Sequence, residues 1–351
     1  MNIREIASRA KVSVATVSRI INRVPTVDPV LSKRVRRVIH EAGYHPNPHA
    51  RALASGRTRT VGLIVSEIRG GNPFVTELIQ HFEECASRNG YGMLVSFATQ
   101  SFDSQRIAES LRRVREHRVD AVAIMTFGME ELLLDRLEVK NTPLVFVDVG
   151  PAVPRVSNIS IDYMTGIRQA VQHLVALGHR KIAYLTGELR LSTLRERRNA
   201  FVKCITELGL RQDSKLIIEE EHSMQGGKRA IAGLLRTEKR VSAVMCCNDA
   251  AAIGAIHQIV ESGLRVPEDI SVVGFDDIPL AQFTTPPLTT VRLSQEELAR
   301  LAFNALLADL ERKKPIENGV RYPLQTQLII RNSTALVSRG RSHRNGMRNG
   351  A

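Results

Sequence analysis

Residues 3–22 read IREIASRAKVSVATVSRIIN, and this stretch decides the fold of the N-terminal part of the chain. Its apolar residues recur at helical spacing on both sides of a three-residue turn, Lys11-Val12-Ser13. Asn2 can cap the first helix, and Ser13 can cap a second helix that runs from Val14 to Asn22. The stretch therefore predicts two short helices joined by a tight turn.

A third helix is predicted to begin after Asp28 as N-cap, with Pro29 at its first position, and to end at Gly43. Proline is tolerated there because the first helical N–H has no partner within the helix. Two helices joined by a three-residue turn and braced by a third form a helix-turn-helix unit, whose second helix enters the major groove of DNA. The exposed start of that helix would carry five side chains to the base edges: Val14, Ala15, Thr16, Ser18 and Arg19.

The positive charge of the chain is concentrated at its two ends. The formal net charge is +13 over 351 residues. Residues 1–60 hold twelve Lys and Arg against three Asp and Glu, and residues 338–351 hold four Arg and no acid, so the middle is neutral. A net +9 over sixty residues is typical of nucleic-acid binding. The basic tail 338–351 is poor in apolar residues, and we expect it to be disordered.

The composition fits a soluble protein with more than one domain. Hydrophobic residues make up 43% of the chain and charged residues 24%. No apolar run reaches the roughly 18 residues that span a bilayer, and the chain opens with polar residues rather than an apolar signal segment. We therefore expect a cytoplasmic protein with no membrane partner. The cysteines lack metal-ligand spacing, so we expect reduced thiols, no bound metal and no cofactor: Cys85, Cys204, Cys246 and Cys247.

From residue 60 onward, short apolar strands alternate with helices. Near-continuous Val, Ile and Leu strands separated by helices indicate parallel sheets covered on both faces. The alternation falls into two halves around Asn158–Asp162, with Val291 and Leu328–Ile330 as candidate crossing strands. The other strand candidates are Val61–Val65, Gly92–Phe97, Ala121–Phe127, Leu144–Val149, Ile182–Thr186, Leu216–Glu219, Ala243–Cys247 and Val272–Phe275.

Two signatures near the start of the chain resemble the LacI/GalR family of repressors. They are V-S-x-x-T-V-S-R-x-x-N over residues 12–22 and G-Y-x-P-N over residues 43–47. Lys11 departs from the family pattern, which usually has glycine there, and lysine is modestly strained if that turn needs a positive φ. The resemblance continues to about residue 335 through five further segments: Asn72-Pro73-Phe74, 177–183, 248–254, 272–277 and 286–291.

The resemblance implies a small all-α helix-turn-helix domain followed by a two-lobed α/β sensor domain. The sensor would resemble periplasmic sugar-binding proteins, with two doubly wound parallel sheets joined by three crossovers. Expected boundaries are 1–46 for the helix-turn-helix domain, 47–58 for a hinge helix or linker and 59–337 for the effector-binding and dimerisation domain. Within that domain the N-lobe would comprise about 59–161 plus 292–323, and the C-lobe about 162–291 plus 324–337.

The resemblance also assigns DNA contacts. Val14 and Ala15 match the variable base-reading pair, and Arg19 matches a guanine-reading arginine, which can donate two hydrogen bonds to that base. Asn22 and Tyr44 match contacts to the DNA backbone, and Thr26 matches a further operator contact. Leu53 matches a leucine that paired hinge helices insert into the minor groove, whereas an incidental leucine in a flexible linker is the alternative.

Polar residues follow several strand candidates, at the edge where open α/β sheets bind ligands. Asp148, Asn248 and Asp276 each follow a strand, and Arg197 lies on the helix after another. These groups suit a polyhydroxylated effector such as a sugar; Arg69 and Arg195 leave an acidic or phosphorylated sugar as the alternative. Asp249 and Asp277 are expected to be helix or turn caps. By resemblance, aromatic or ring contacts would come from Phe74, Phe127 and His222.

Other classes of protein fit these residues less well. The chain has no nucleophile elbow, phosphate loop or zinc-protease motif, so we expect no enzyme and assign no catalytic residue. A periplasmic binding protein would lack the basic N-terminal domain, and a non-specific nucleoid protein would lack a ligand-sized α/β core. The prediction is a homodimeric regulator, most often a repressor in this family, on a pseudo-palindromic operator. The tail lacks leucine heptads, which favours a dimer over a tetramer.

Overall fold

The structure is a computed structural model that describes residues 2–21, 27–44, 56–66, 73–98, 104–117, 119–125, 142–148, 156–211, 213–238, 241–312 and 319–337. The chain divides into two compact units, Met1–Arg59 and Thr60–Ala351. Within the described ranges, every helix is too short or too polar to cross a membrane. Five candidate DNA or effector contacts lie outside the described residues: Asn22, Thr26, Leu53, Arg69 and Phe127. The expected hinge over residues 47–55 and the basic tail 338–351 lie outside them as well.

The N-terminal unit contains the three predicted helices, α1 (Ile3–Arg9), α2 (Val14–Ile21) and α3 (Pro29–Glu41). Each helix contributes one fully buried side chain to a shared apolar core: Ile6, Val17 and Val35. The predicted caps form as well. Asn2 Oδ1 accepts the backbone N–H of Arg4 and Glu5, Ser13 Oγ accepts the N–H of Thr16 at 3.1 Å, and Asp28 Oδ1 accepts the N–H of Leu31 at 2.8 Å.

The turn between α1 and α2 has a left-handed residue at Lys11, the position where the family pattern usually has glycine. Lys11 adopts a left-handed φ of 50°, and its N–H donates to the carbonyl oxygen of Ser8 at 3.1 Å. A left-handed conformation costs a residue with a Cβ roughly 1–2 kcal/mol. The turn therefore tolerates lysine at a modest energetic cost, and the helix-turn-helix geometry is kept.

The second unit is built on two six-stranded sheets. The first has the order β11-β5-β4-β3-β1-β2 and the second β12-β10-β9-β8-β6-β7. All described strand pairs are parallel except β10 with β12, which is antiparallel. The strands are β1 (Thr60–Ser66), β2 (Gly92–Ala98), β3 (Ala121–Met125), β4 (Leu144–Val147), β5 (Ser157–Asp162), β6 (Ile182–Thr186), β7 (Ile217–Glu219), β8 (Ala243–Cys246), β9 (Ser271–Asp276), β10 (Thr289–Arg292), β11 (Arg321–Gln325) and β12 (Gln327–Ile329).

Helices cover these sheets. They are α4 (Pro73–Arg88), α5 (Ser104–Glu116), α6 (Tyr163–Ala176), α7 (Ser192–Glu207), α8 (Met224–Thr237), α9 (Asp249–Glu261) and α10 (Gln295–Glu311), with short 3₁₀ turns at Ser214–Leu216 and Pro279–Gln282. Helices α4, α5 and α10 pack on the first sheet and form the first lobe with it. Helices α6 to α9 follow or flank the strands of the second sheet and form the second lobe with it.

The chain passes between the two lobes three times: from β5 into α6, from β10 into α10, and from β11 into β12. Several predicted strand bounds were wrong by one or two residues; for example, β9 begins at Ser271 rather than Val272, and Leu216 ends a 3₁₀ turn rather than beginning a strand. The sequence prediction also missed β5 and β11 as strands. Both are polar at alternate positions, and Pro323 interrupts β11, so neither resembles the continuous apolar runs of the central strands.

Candidate functional site

The second helix of the N-terminal unit presents the predicted base-facing residues on its surface. Val17 and Ile20 are buried against the other two helices, which fixes the orientation of α2. Val14, Ala15 and Arg19 are exposed as a result. Thr16 and Ser18 are half-buried beside them, as is Tyr44 after α3; the hydroxyls of Thr16 and Ser13 are 2.9 Å apart.

The same unit keeps its positive charge on the surface. Every lysine and arginine in the described parts of residues 2–44 is exposed: Arg4, Arg9, Lys11, Arg19, Lys33, Arg34, Arg36 and Arg37. The ion pair between Arg37 and Glu41 is long, at 3.8 Å, and both side chains are solvated. Such a surface attracts phosphates over the range of a Debye length.

In the second unit, a buried ion pair joins two residues that the sequence placed at the carboxyl edge of the sheet. Arg197 is only 4% exposed; its Nη1 donates to the carbonyl of Cys247 at 2.7 Å and lies 3.4 Å from Asp276 Oδ1. Its guanidinium stacks over the ring of Phe275, 4.0 Å from the centroid. Within the described residues, the buried Arg197 Nε donates no hydrogen bond. This buried N–H is therefore unsatisfied within the part of the chain that the structure describes.

A second carboxylate reaches this ion pair from the first lobe. Asp148 follows β4 with a φ of 58°, and its carboxylate accepts a very short hydrogen bond from the hydroxyl of Tyr163, the first residue of α6. Tyr163 also lies under Arg197, with the guanidinium 4.8 Å from its ring centroid. We call Asp148, Tyr163, Arg197 and Asp276 the Arg197 cluster. It links the two lobes.

Desolvation controls the ionisation of both carboxylates. Burial raises the pKa of Asp148 to about 7, against the opposing effects of the Tyr163 hydrogen bond and the Arg197 charge. Burial likewise raises the pKa of Asp276 to about 6, although Arg197 opposes it. A carboxyl that is protonated near neutrality can donate as well as accept a hydrogen bond. The cluster therefore offers both donors and acceptors to hydroxyl groups.

Asn248 and His222 lie on a neighbouring part of the second lobe. Asn248 is the N-cap of α9, since its Oδ1 accepts the N–H of Ala251 at 2.8 Å, and its Nδ2 donates to the carbonyl of His222 at 2.8 Å. The imidazole Nδ1 of His222 lies 2.7 Å from Glu188 Oε2, and this hydrogen bond lowers the pKa of Glu188.

Three other residues have a different environment from the one that the sequence suggested. Phe74 is 2% exposed and packs in the main core, so the structure gives it no exposed stacking face. Asp249 and Asp277 were predicted to be caps, and this was wrong. Asn248 caps α9 instead, so the buried Asp249 carboxylate accepts from Ile278 N and from the Thr290 hydroxyl.

Asp277 forms two ion pairs rather than a cap. Its Oδ2 lies 2.7 Å from Arg292 Nε, and its Oδ1 lies 2.6 Å from Arg331 Nη2. These partners are 15 and 54 residues away in sequence, so no local pattern indicates them. Tyr163 was missed for the same reason. Its position directly after a polar strand was the available signal.

Comparison with known proteins places these features in a family. A profile described as "Bacterial regulatory proteins, lacI family" matches residues 2–47, and one described as "Periplasmic binding protein-like domain" matches residues 171–334. An "HTH-type transcriptional repressor PurR" from Aliivibrio salmonicida is 34% identical over 313 residues, covering 89% of this chain and 92% of the relative. A "Ribose operon repressor" from Haemophilus influenzae is 32% identical over 331 residues, covering 94% and 98%.

Solved structures agree with this assignment. The Lac repressor dimer bound to operator and the anti-inducer ONPF has a TM-score of 0.83 and 27% identity, covering 95% of this chain and 99% of that one. The transcriptional regulator CelR in complex with cellobiose has a TM-score of 0.71 and 29% identity, with the same coverage. The fold class and family expected from the sequence are confirmed. This chain belongs to the LacI family of bacterial transcriptional regulators, with an N-terminal helix-turn-helix and a periplasmic-binding-protein-like domain.

Proposed function

We propose that the chain is a cytoplasmic, homodimeric repressor whose affinity for a pseudo-palindromic DNA operator changes when a small sugar-like molecule binds at the Arg197 cluster. The observation that carries this proposal is the buried Arg197–Asp276 ion pair, in which Arg197 Nε has no hydrogen-bond partner among the described residues. A buried polar group without a partner is costly, so a bound molecule that completes its hydrogen bonds is favoured. Open α/β sheets bind ligands at this edge.

The exposed face of α2 supports the DNA half of the proposal. Val14 and Ala15 are small and apolar, which suits contact with thymine methyl groups, and the exposed Arg19 can reach guanine. Residues 47–58 would form the hinge between operator and sensor. The remaining proposed DNA contacts are Thr16, Ser18, Asn22, Thr26, Tyr44 and Leu53.

Charge balance at the Arg197 cluster favours a neutral effector. Two carboxyl groups share one guanidinium there, and burial raises the pKa of both, so the site already disfavours negative charge and an anionic sugar would add to it. Of the two arginines on which the acidic alternative rests, Arg69 lies outside the described residues, and Arg195 is exposed and donates to the carbonyl of Leu189 at 3.3 Å. We therefore propose an uncharged polyhydroxylated molecule. Further contacts in this proposal are Phe127, His222 and Asn248.

Exposed apolar side chains support a homodimer. Leu280 is 46% exposed and Phe283 74% exposed, and both follow Ile278, which bonds to Asp249 at the start of α9. Met224, 38% exposed, begins the neighbouring helix α8, which packs along α9. Large apolar side chains that share one region of a surface mark a protein interface. The similar Lac repressor is a dimer bound to operator, and a second copy of this chain is the proposed partner.

The test has a ligand arm and a DNA arm. We expect D-ribose or cellobiose to raise the melting temperature of the full-length protein, whereas D-gluconate does not. Asp276→Asn should abolish the rise, and the control Glu238→Gln, which removes a carboxylate from the distant Lys181–Glu238 pair, should keep it.

Selection from random duplexes should recover inverted half-sites. Recovery of no sequence preference, or a melting response to gluconate alone, would contradict the proposal.

A further inference from the structure

Two consecutive residues at the end of β9 have left-handed backbone. Asp276 has a φ of 113° and Asp277 a φ of 56°, and neither is glycine. Such conformations persist only where surrounding contacts hold them. The first of the two carries the carboxylate that pairs with Arg197. The contacts that hold this turn therefore determine where the Asp276 carboxylate lies.

The carboxylate of Asp277 is held by the two segments that flank crossovers between the lobes. Arg292 is the last residue of β10, before the chain enters the first lobe as α10, and Arg331 follows β12, after the chain has returned to the second lobe. The two contacts measure 2.7 and 2.6 Å, and the Asp277 side chain is 6% exposed. Arg331 is itself fixed, because its Nη1 donates to the carbonyl of Leu288 at 2.8 Å.

The backbone of the same turn is also tied to a crossover. The carbonyl oxygen of Asp276 accepts the N–H of Leu293 at 3.3 Å and the side-chain Nε2 of Gln295 at 3.1 Å. Leu293 lies in the segment that connects β10 to α10, and Gln295 is the first residue of α10. The turn is thus bonded, through its main chain and through the Asp277 carboxylate, to residues beside the crossovers between the lobes.

We propose that Asp277 is a positioning residue that couples the Asp276 carboxylate to the orientation of the two lobes. This inference rests on the proposed function, in which Asp276 contacts the effector. A change at the β10–α10 or β11–β12 crossover moves Arg292 or Arg331, and each arginine transmits the movement to Asp277 through a direct ion pair. A molecule bound to Asp276 favours, by the same path, one lobe orientation over another.

The first experiment needs no ligand. Hydrogen–deuterium exchange of the full-length protein is compared between native protein, Asp277→Asn, Arg331→Gln and the control Glu238→Gln, which also loses a close ion pair of the second lobe. We expect at least tenfold faster exchange in residues 274–278 and 292–296 for both turn variants, and native exchange there for the control. Unchanged exchange in Asp277→Asn and Arg331→Gln overturns the inference. If Asp277→Asn does not fold, Arg331→Gln decides alone.

The second experiment measures coupling. Operator affinity is determined with and without saturating D-ribose or cellobiose, and the ratio of the two affinities is compared among the variants. A merely structural role lowers the melting temperature but leaves that ratio native. We expect Asp277→Asn to reduce the ratio at least threefold, and the Asp277→Asn, Arg331→Gln double variant to lose no more than the larger single effect. A native ratio in both single variants overturns the inference. If neither sugar changes operator affinity in native protein, the proposed sugar effector fails, and the exchange data still decide the role of Asp277.

Discussion

Asp148→Asn isolates the energetic effect of a buried carboxyl in the Arg197 cluster. Burial raises the pKa of Asp148 from 3.8 to about 7. A carboxyl with a raised folded-state pKa stabilises the fold below its unfolded pKa, and that contribution is lost as the pH rises towards the folded value. Asparagine has nearly the same shape, still accepts the Tyr163 hydroxyl through its oxygen, and does not ionise.

The magnitude follows from the pKa difference. Each pKa unit corresponds to about 1.4 kcal/mol. Because Asp148 ionises more easily in the unfolded chain, its carboxyl lowers the free energy of unfolding by about 4 kcal/mol at pH 8 and by less than about 1 kcal/mol at pH 4. Native protein should therefore become less stable than Asp148→Asn by an additional ~3 kcal/mol between pH 4 and pH 8. The stability of Asp148→Asn relative to native protein should therefore increase as the pH rises.

Urea unfolding followed by far-ultraviolet circular dichroism at several pH values measures this difference. Glu311→Gln is a matched control because Glu311 is exposed at the end of α10; its effect should stay within about 0.5 kcal/mol at every pH. A stability difference between Asp148→Asn and native protein that does not change from pH 4 to pH 8 would refute the desolvation argument. A difference that shrinks with rising pH would contradict its sign.

Three further predictions concern DNA contact and helix packing. Arg19→Ala should relax preference at one symmetric base pair per half-site by about 1–3 kcal/mol in a substitution series; an unchanged preference rules that role out. Leu53→Ala should weaken binding to the selected operator far more than binding to random duplex. Equal losses in the two titrations argue against insertion of Leu53 into the minor groove. Gly254→Ala should destabilise the protein by several kcal/mol in urea unfolding, since the added Cβ would lie 1.8 Å from the carbonyl oxygen of Met224. The control Gly233→Ala, with no atom closer than 4.0 Å, should be neutral or stabilising by about 0.5–1 kcal/mol; equal effects of the two alanines contradict the packing argument.

The sequence predicted those features that depend on local chemistry. Helix caps act over three residues, so Asn2, Ser13 and Asp28 could be assigned from spacing alone, and the structure confirms them. Strand ends bring side chains to a common sheet edge. Arg197 and Asp276 could therefore be grouped in advance, and the structure brings them into contact.

Features that depend on distant partners were not predictable in the same way. Asp249 and Asp277 resemble caps locally, but their partners come from strands and segments far along the chain. The polar strands β5 and β11, at one end of the first sheet, lack the continuous apolar run of β3 and β4. Their pairing depends on the sheet already being formed, and this is information that a short window of sequence does not contain.

In the proposed function, one chain links operator binding to a ligand at the Arg197 cluster. Fluorescence anisotropy of the selected operator duplex, titrated with full-length protein with and without saturating D-ribose or cellobiose, tests it directly. We predict that one of these sugars changes the operator Kd at least about fivefold, and that Asp276→Asn removes this response while Glu238→Gln retains it. An operator Kd that is the same with and without both sugars, or an Asp276→Asn variant that responds like the native protein, would contradict the claim.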